Sequence, residues 1–69
     1  MIYENVLALC KQRKIRIARL EREAGLANGT VRGWKQYSPK YESVKKVANY
    51  FGVTTDSLGA SNEGNADVN

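Results

Sequence analysis

Apolar residues recur at helical spacing along nearly the whole chain. Tyr3, Val6, Leu7 and Cys10 stand at i, i+3, i+4 and i+7, which predicts one face of a first helix. Ile17, Leu20 and Ala24 mark a second helix, Val31 and Trp34 a third, and Val44, Val47, Ala48 and Phe51 a fourth. Thr54 to Leu58 opens on a capping residue and places Asp56 in a first turn, facing the positive end of a short fifth helix. No stretch alternates with period two for long enough to predict a strand.

The interruptions are as informative as the runs. Lys11–Lys14 reads as a polar, basic turn. Gly25 can take the left-handed conformation that ends a helix, and Gly52 is placed to do the same. Ser38-Pro39 breaks the chain before the fourth helix. Beyond Leu58 there is almost nothing to bury, so residues 59–69 are expected to be a disordered acidic tail behind a single domain of residues 1–58. The connection from Ala24 to Asn28 is the most specific. Two short helices joined through Gly25, with Leu26 plugging the elbow and Val31 and Trp34 anchoring the second helix, make the helix-turn-helix pattern. A generic corner between two helices gives a similar pattern.

Charge changes the picture. All eleven Lys and Arg lie between Lys11 and Lys46, and against four acids they give residues 1–53 a formal +7. Residues 54–69 carry −3, so the net +4 understates how basic the folded part is. Such a surface attracts polyanions through release of condensed counterions, although many small domains are simply lysine-rich. Other chemistries fall away. The chain has one cysteine and no histidine, which leaves no intrachain disulfide and no Cys/His zinc site. Cys10 lies in an apolar stripe with no histidine to activate it. Glu21 and Glu23 are two apart on a helix and cannot face each other as a catalytic carboxylate pair. No enzyme, metal or cofactor is expected. The longest apolar run, Val6 to Cys10, is too short for a bilayer span, and too short for a signal-peptide core behind Glu4. A soluble, cytoplasmic protein of a bacterial or phage-infected cell is expected, with no membrane partner.

The stretch from Val6 to Leu58 resembles the Cro and phage-repressor (XRE) family of helix-turn-helix regulators. The resemblance is carried by Ile17-Ala18-Arg19-Leu20, by the run from Glu21 through Gly25 and Val31 to Trp34, by Ser38-Pro39, and by Val47-Ala48 with Phe51-Gly52-Val53 and Asp56-Ser57-Leu58. It implies an all-α, compact five-helix lambda-repressor-like domain that regulates transcription at a pseudo-palindromic double-stranded DNA operator. A Cro-like repressor of phage, prophage or bacterial origin is the implied role, acting as a homodimer at least on DNA, with half-sites about 34 Å apart. Arg16 and Ile17 stand where the family commonly has Ser and Gln, so Arg16 is expected to replace a neutral phosphate contact with a charged one.

In that docking mode the third helix, over residues 28–36, enters the major groove with its N-terminal half against base edges. Residues 28, 29, 32 and 33 would then share the outer face, and two of them are glycine. Gly29 and Gly33 either let the backbone approach DNA closely or are tolerated drift. Asn28 reads adenine or caps the helix in place of Ala27, and Arg32 reads guanine or holds a phosphate. Thr30 is expected at a thymine methyl or a phosphate. Lys35, Gln36, Tyr37, Ser38 and Lys40, with Arg16 at the other edge, make up the expected phosphate-binding set. Trp34 and Cys10 read as core. Tyr37, Tyr41 and Tyr50 fit core, backbone contact or a dimer surface equally, and Arg19 with Glu23 reads as a surface ion pair. The competing class is a protein-interaction module of the same fold, antitoxin- or antirepressor-like.

Overall fold

Three α-helices carry most of residues 2–59, the portion described by this computed structural model. α1 spans Ile2–Arg13, α2 Ile17–Ala24 and α3 Tyr41–Phe51, and no strand occurs among the described residues. α3 is the fourth of the five expected helices. The third and fifth shrink to single 3-10 turns, Arg32–Lys35 and Asp56–Leu58. The all-helical class therefore holds, while the count of five α-helices does not.

The three helices stop in the same way. At each end the first non-helical residue is left-handed and donates to a carbonyl three back, and the next amide reaches five back, the pattern of a Schellman motif. Gly25 and Leu26 bond to Arg22 and Glu21, Gly52 and Val53 to Asn49 and Ala48, and Lys14 and Ile15 to Lys11 and Cys10. The residue after each left-handed position is apolar, and Ile15, Leu26 and Val53 all pack on the core. Two ends use glycine, as expected. At the third, α1 runs through Lys11–Arg13, which were expected in a turn, and Lys14 alone turns the chain at φ +60°.

A left-handed L-residue costs about 1–2 kcal/mol, whereas glycine adds about 0.4–1 kcal/mol of unfolded-state freedom. Lys14→Gly is therefore expected to stabilise the domain by about 0.5–1 kcal/mol. That corresponds to a rise in Tm of roughly 2–8 °C, read by thermal denaturation. A fall in Tm would mean that Lys14 makes up its backbone cost through its side chain.

The core draws on every element. Val6 and Cys10 come from α1, Leu20 from α2, Val44, Val47, Ala48 and Phe51 from α3, and Val31, Trp34 and Leu58 from the turn segments. Ile2, Tyr3 and Leu9 join from α1, while Leu7, expected on this face, is only half-buried and lies to its side. Cys10 is buried, which pushes its thiol above the ordinary value. α2 packs on α3, and α1 touches α2 and both 3-10 turns.

Two polar ties close the structure. Asn5 Nδ2 donates to the Leu58 carbonyl at 3.0 Å, and the Arg13 guanidinium donates to the Phe51 carbonyl at 2.9 Å while lying over the Phe51 ring. The expected cap is present at the last turn, where Thr54 Oγ1 accepts from the Ser57 amide. Gly59 closes that turn at φ +94°. Residues 60–69 of the expected tail lie outside the described residues. No helix among the described residues is long and apolar enough to cross a membrane.

Candidate nucleic-acid interface

The segment expected to be a reading helix is built differently. Residues 28–31 form turns, and only Arg32–Lys35 closes into a 3-10 turn. Gly29 sits at φ +90°, a left-handed conformation that an α-helix cannot contain, so the helix cannot extend back to Asn28. A face shared by residues 28, 29, 32 and 33 does not exist as drawn from helical spacing. The choice of glycine at 29 follows from backbone geometry.

What fixes this geometry is Glu21, on α2. Its side chain is only 2% exposed. Oε1 accepts from the Gly29 amide at 2.8 Å, while Oε2 accepts from Val31 at 2.7 Å and Arg32 at 3.3 Å. Backbone amides converging on one point make an anion-binding nest; these are the amides of residues 29, 31 and 32, while the Thr30 amide donates to the Ala27 carbonyl. Here a carboxylate of the same chain fills the nest, and each such charge-assisted bond contributes about 1.5–3 kcal/mol. The N-cap role considered for Asn28 thus falls to Glu21 from another helix. The same amides, which could otherwise hold a DNA phosphate, are already engaged.

Sequence reasoning missed Glu21 as a functional residue, although a signal was present. Glu21 stands four after Ile17 and three before Ala24, inside the apolar stripe of α2, where a charge requires a buried partner. Glu23, by contrast, faces outward. It pairs with Arg19 at 2.9 Å, as expected, and also accepts from the Tyr50 hydroxyl. The Tyr50 bond, then the Arg19 guanidinium, hold its carboxyl below the usual value, and the same bond to Glu23 pushes the Tyr50 hydroxyl up.

The remaining site residues divide between two grooves and the open surface. Asn28, Gly29 and Thr30 share a groove with Tyr37, Ser38 and Lys40. Half of the expected phosphate set therefore lies beside most of the expected base-reading set. Lys35, Gln36, Tyr37 and Ser38 line a second groove against Ile2 and Tyr3 of α1. Trp34, Tyr37, Ser38 and Pro39 border both grooves. Arg16 and Arg32 line neither; both are exposed, Arg16 at the start of α2 and Arg32 at the start of the 3-10 turn.

Several side chains have partners within the domain. Thr30 Oγ1 donates to the Ala27 carbonyl at 2.7 Å. Lys35 Nζ lies 5.8 Å from the centre of the Tyr3 ring, and Lys46 Nζ donates to the Gly25 carbonyl at 3.5 Å. The hydroxyl oxygen of Tyr37 lies only 2.9 Å from where a Cβ on Gly33 would stand. Tyr37, 66% exposed, thus covers the glycine that was expected to offer bare backbone. Among the described residues the Asn28 side chain makes no hydrogen bond, and Arg32 bonds only through its backbone.

Compared with family models, with curated proteins and with solved structures, the chain gives no match.

Proposed function

We propose that this protein is a sequence-specific double-stranded DNA-binding regulator of transcription, of the Cro and phage-repressor type, with a lambda-repressor-like arrangement of its helical segments. The observation that carries the reading is the α2–turn–Arg32–Lys35 unit. α2 ends at Gly25, Leu26 packs into the elbow, and the following segment buries Val31 and Trp34 while leaving Asn28 and Arg32 exposed. The unit keeps the buried and exposed sides of a helix-turn-helix, with turns and one 3-10 turn in place of its second helix. Arg16, Lys35 and Lys40, all exposed, supply phosphate contacts around it, and the formal +7 of residues 1–53 supplies the attraction.

In this reading Asn28 bridges an adenine, and Arg32 a guanine, each worth about 1–3 kcal/mol of discrimination. Thr30 and Gly29 shape the floor of the groove beside them. The operator is a pseudo-palindrome bound by two copies, and the protein is not an enzyme.

Fluorescence anisotropy with mixed-sequence duplex DNA tests the reading. Binding is expected at low salt, with log K falling against log salt by about 0.9 for each phosphate neutralised, or roughly −3 for Arg16, Lys35 and Lys40 in one domain. Selection of bound duplexes from a random pool is expected to return two related half-sites. Arg32→Ala is expected to relax preference at one base position, whereas uniform weakening on all sequences would assign Arg32 to a phosphate. No binding to any duplex at low salt would remove the DNA reading in favour of a protein partner.

A further inference from the structure

We infer that Glu21, although buried beneath the surface, is a specificity-determining positioning residue for DNA recognition; the inference rests on the DNA-binding reading above. At 2% exposure the side chain cannot reach a base or a phosphate. It acts instead through the backbone on either side of the reading residues. Gly29, whose amide it holds through Oε1, follows Asn28 directly, and the Arg32 amide is itself one of the two held by Oε2.

The segment from Asn28 to Lys35 buries only Val31 and Trp34. Those two anchor its middle and its C-terminal end. Glu21 is the tie that fixes its first half to α2, across an interval that includes the left-handed Gly29. Base readout by a bidentate side chain demands a fixed Cα position, whereas phosphate contact by a long lysine or arginine tolerates displacement. Loosening this tie therefore costs discrimination and leaves non-specific affinity in place. Because the amides at 29, 31 and 32 are already bonded to Glu21, no phosphate contact is lost with them.

The test uses the full chain and two variants. Glu21→Gln keeps the side-chain size but replaces one accepting oxygen with an amide that opposes the backbone donors. Glu21→Asp keeps the charge but draws the carboxylate back by one methylene, so that it cannot hold the Gly29, Val31 and Arg32 amides together. Circular dichroism establishes that each variant is folded at the assay temperature, and Glu21→Asp keeps the inference testable should Glu21→Gln unfold. Hydrogen exchange in the free protein reads the Gly29, Val31 and Arg32 amides. Anisotropy over a series of salt concentrations then compares the pool-selected duplex with its scrambled sequence.

The expected result is faster exchange at those three amides in Glu21→Gln. Affinity for the selected duplex falls about tenfold in each folded variant, with less than about a threefold change on the scrambled duplex and an unchanged salt slope. Folded variants that keep wild-type selectivity, or that lose affinity equally on both duplexes, overturn the inference alone. A wild-type protein that binds no duplex overturns the DNA reading and this inference with it.

Discussion

Glu21→Ala is expected to remove about 3–5 kcal/mol of stability, because each buried donor left without its acceptor costs about 1–3 kcal/mol. Three backbone amides lose their acceptor at once, at 29, 31 and 32. Of these the Val31 amide is the most deeply placed, on a residue with no exposed surface. A single core of this size supplies only roughly 3–5 kcal/mol in total, so the variant is expected to sit at or beyond its unfolding midpoint at 25 °C. The protein provides its own local probe, because Trp34 is the only tryptophan and lies in the segment that Glu21 holds. Helical circular dichroism reports α1, α2 and α3, while Trp34 emission reports the segment. A red shift of emission with helical signal retained would place the damage locally; loss of both together would make Glu21 a keystone of the whole fold. A Tm within about 3 °C of wild type would correspond to less than 1 kcal/mol, and the amides would then be satisfied equally well by water.

Trp34→Ala is expected to cost a similar 3–5 kcal/mol through cavity formation. The indole is 8% exposed and belongs to the core shared by α1 and α3. It is also one of two side chains that fasten the Arg32–Lys35 turn to the domain. The expected outcome is a protein with no cooperative thermal transition, whereas Trp34→Phe, which keeps an aromatic ring in place, is expected to fold with a lowered Tm. Thermal denaturation followed by circular dichroism measures both. An alanine variant with a wild-type midpoint would mean that the two grooves beside Trp34 close over the cavity.

These two residues show how differently the sequence disclosed the structure. Trp34 was legible because it obeys a local rule, three residues from Val31 at helical spacing, and the same rule found Val44, Val47, Ala48 and Phe51 on α3. Gly25 and Gly52 were legible because a left-handed helix end is a local demand. Glu21 was hidden because its partners lie eight to eleven residues away, and because a lone glutamate is usually a solvated one.

That long-range contact also explains the main correction. A helix over residues 28–36 follows from spacing alone. A buried carboxylate drawing in three amides, with glycine at φ +90° between them, instead favours turns followed by one 3-10 turn. The run Lys11–Lys14 misled in the opposite direction, since a polar, basic run reads as a turn and yet its first three residues continue α1. In the candidate interface, composition located the cations, but only the fold separated their roles. Arg13 fastens α3 and Lys46 meets the Gly25 carbonyl, whereas Arg16, Arg32, Lys35 and Lys40 remain at the surface.

The separation between the buried tie and the exposed side chains has a consequence for change over generations. Asn28 and Arg32 can be exchanged for other residues without entering the core and without altering what Glu21 grips, since it grips backbone that every side chain except proline's leaves in place. The domain is built like a tool with an exchangeable bit: the clamp holds backbone, and the side chains at the tip can be replaced around it.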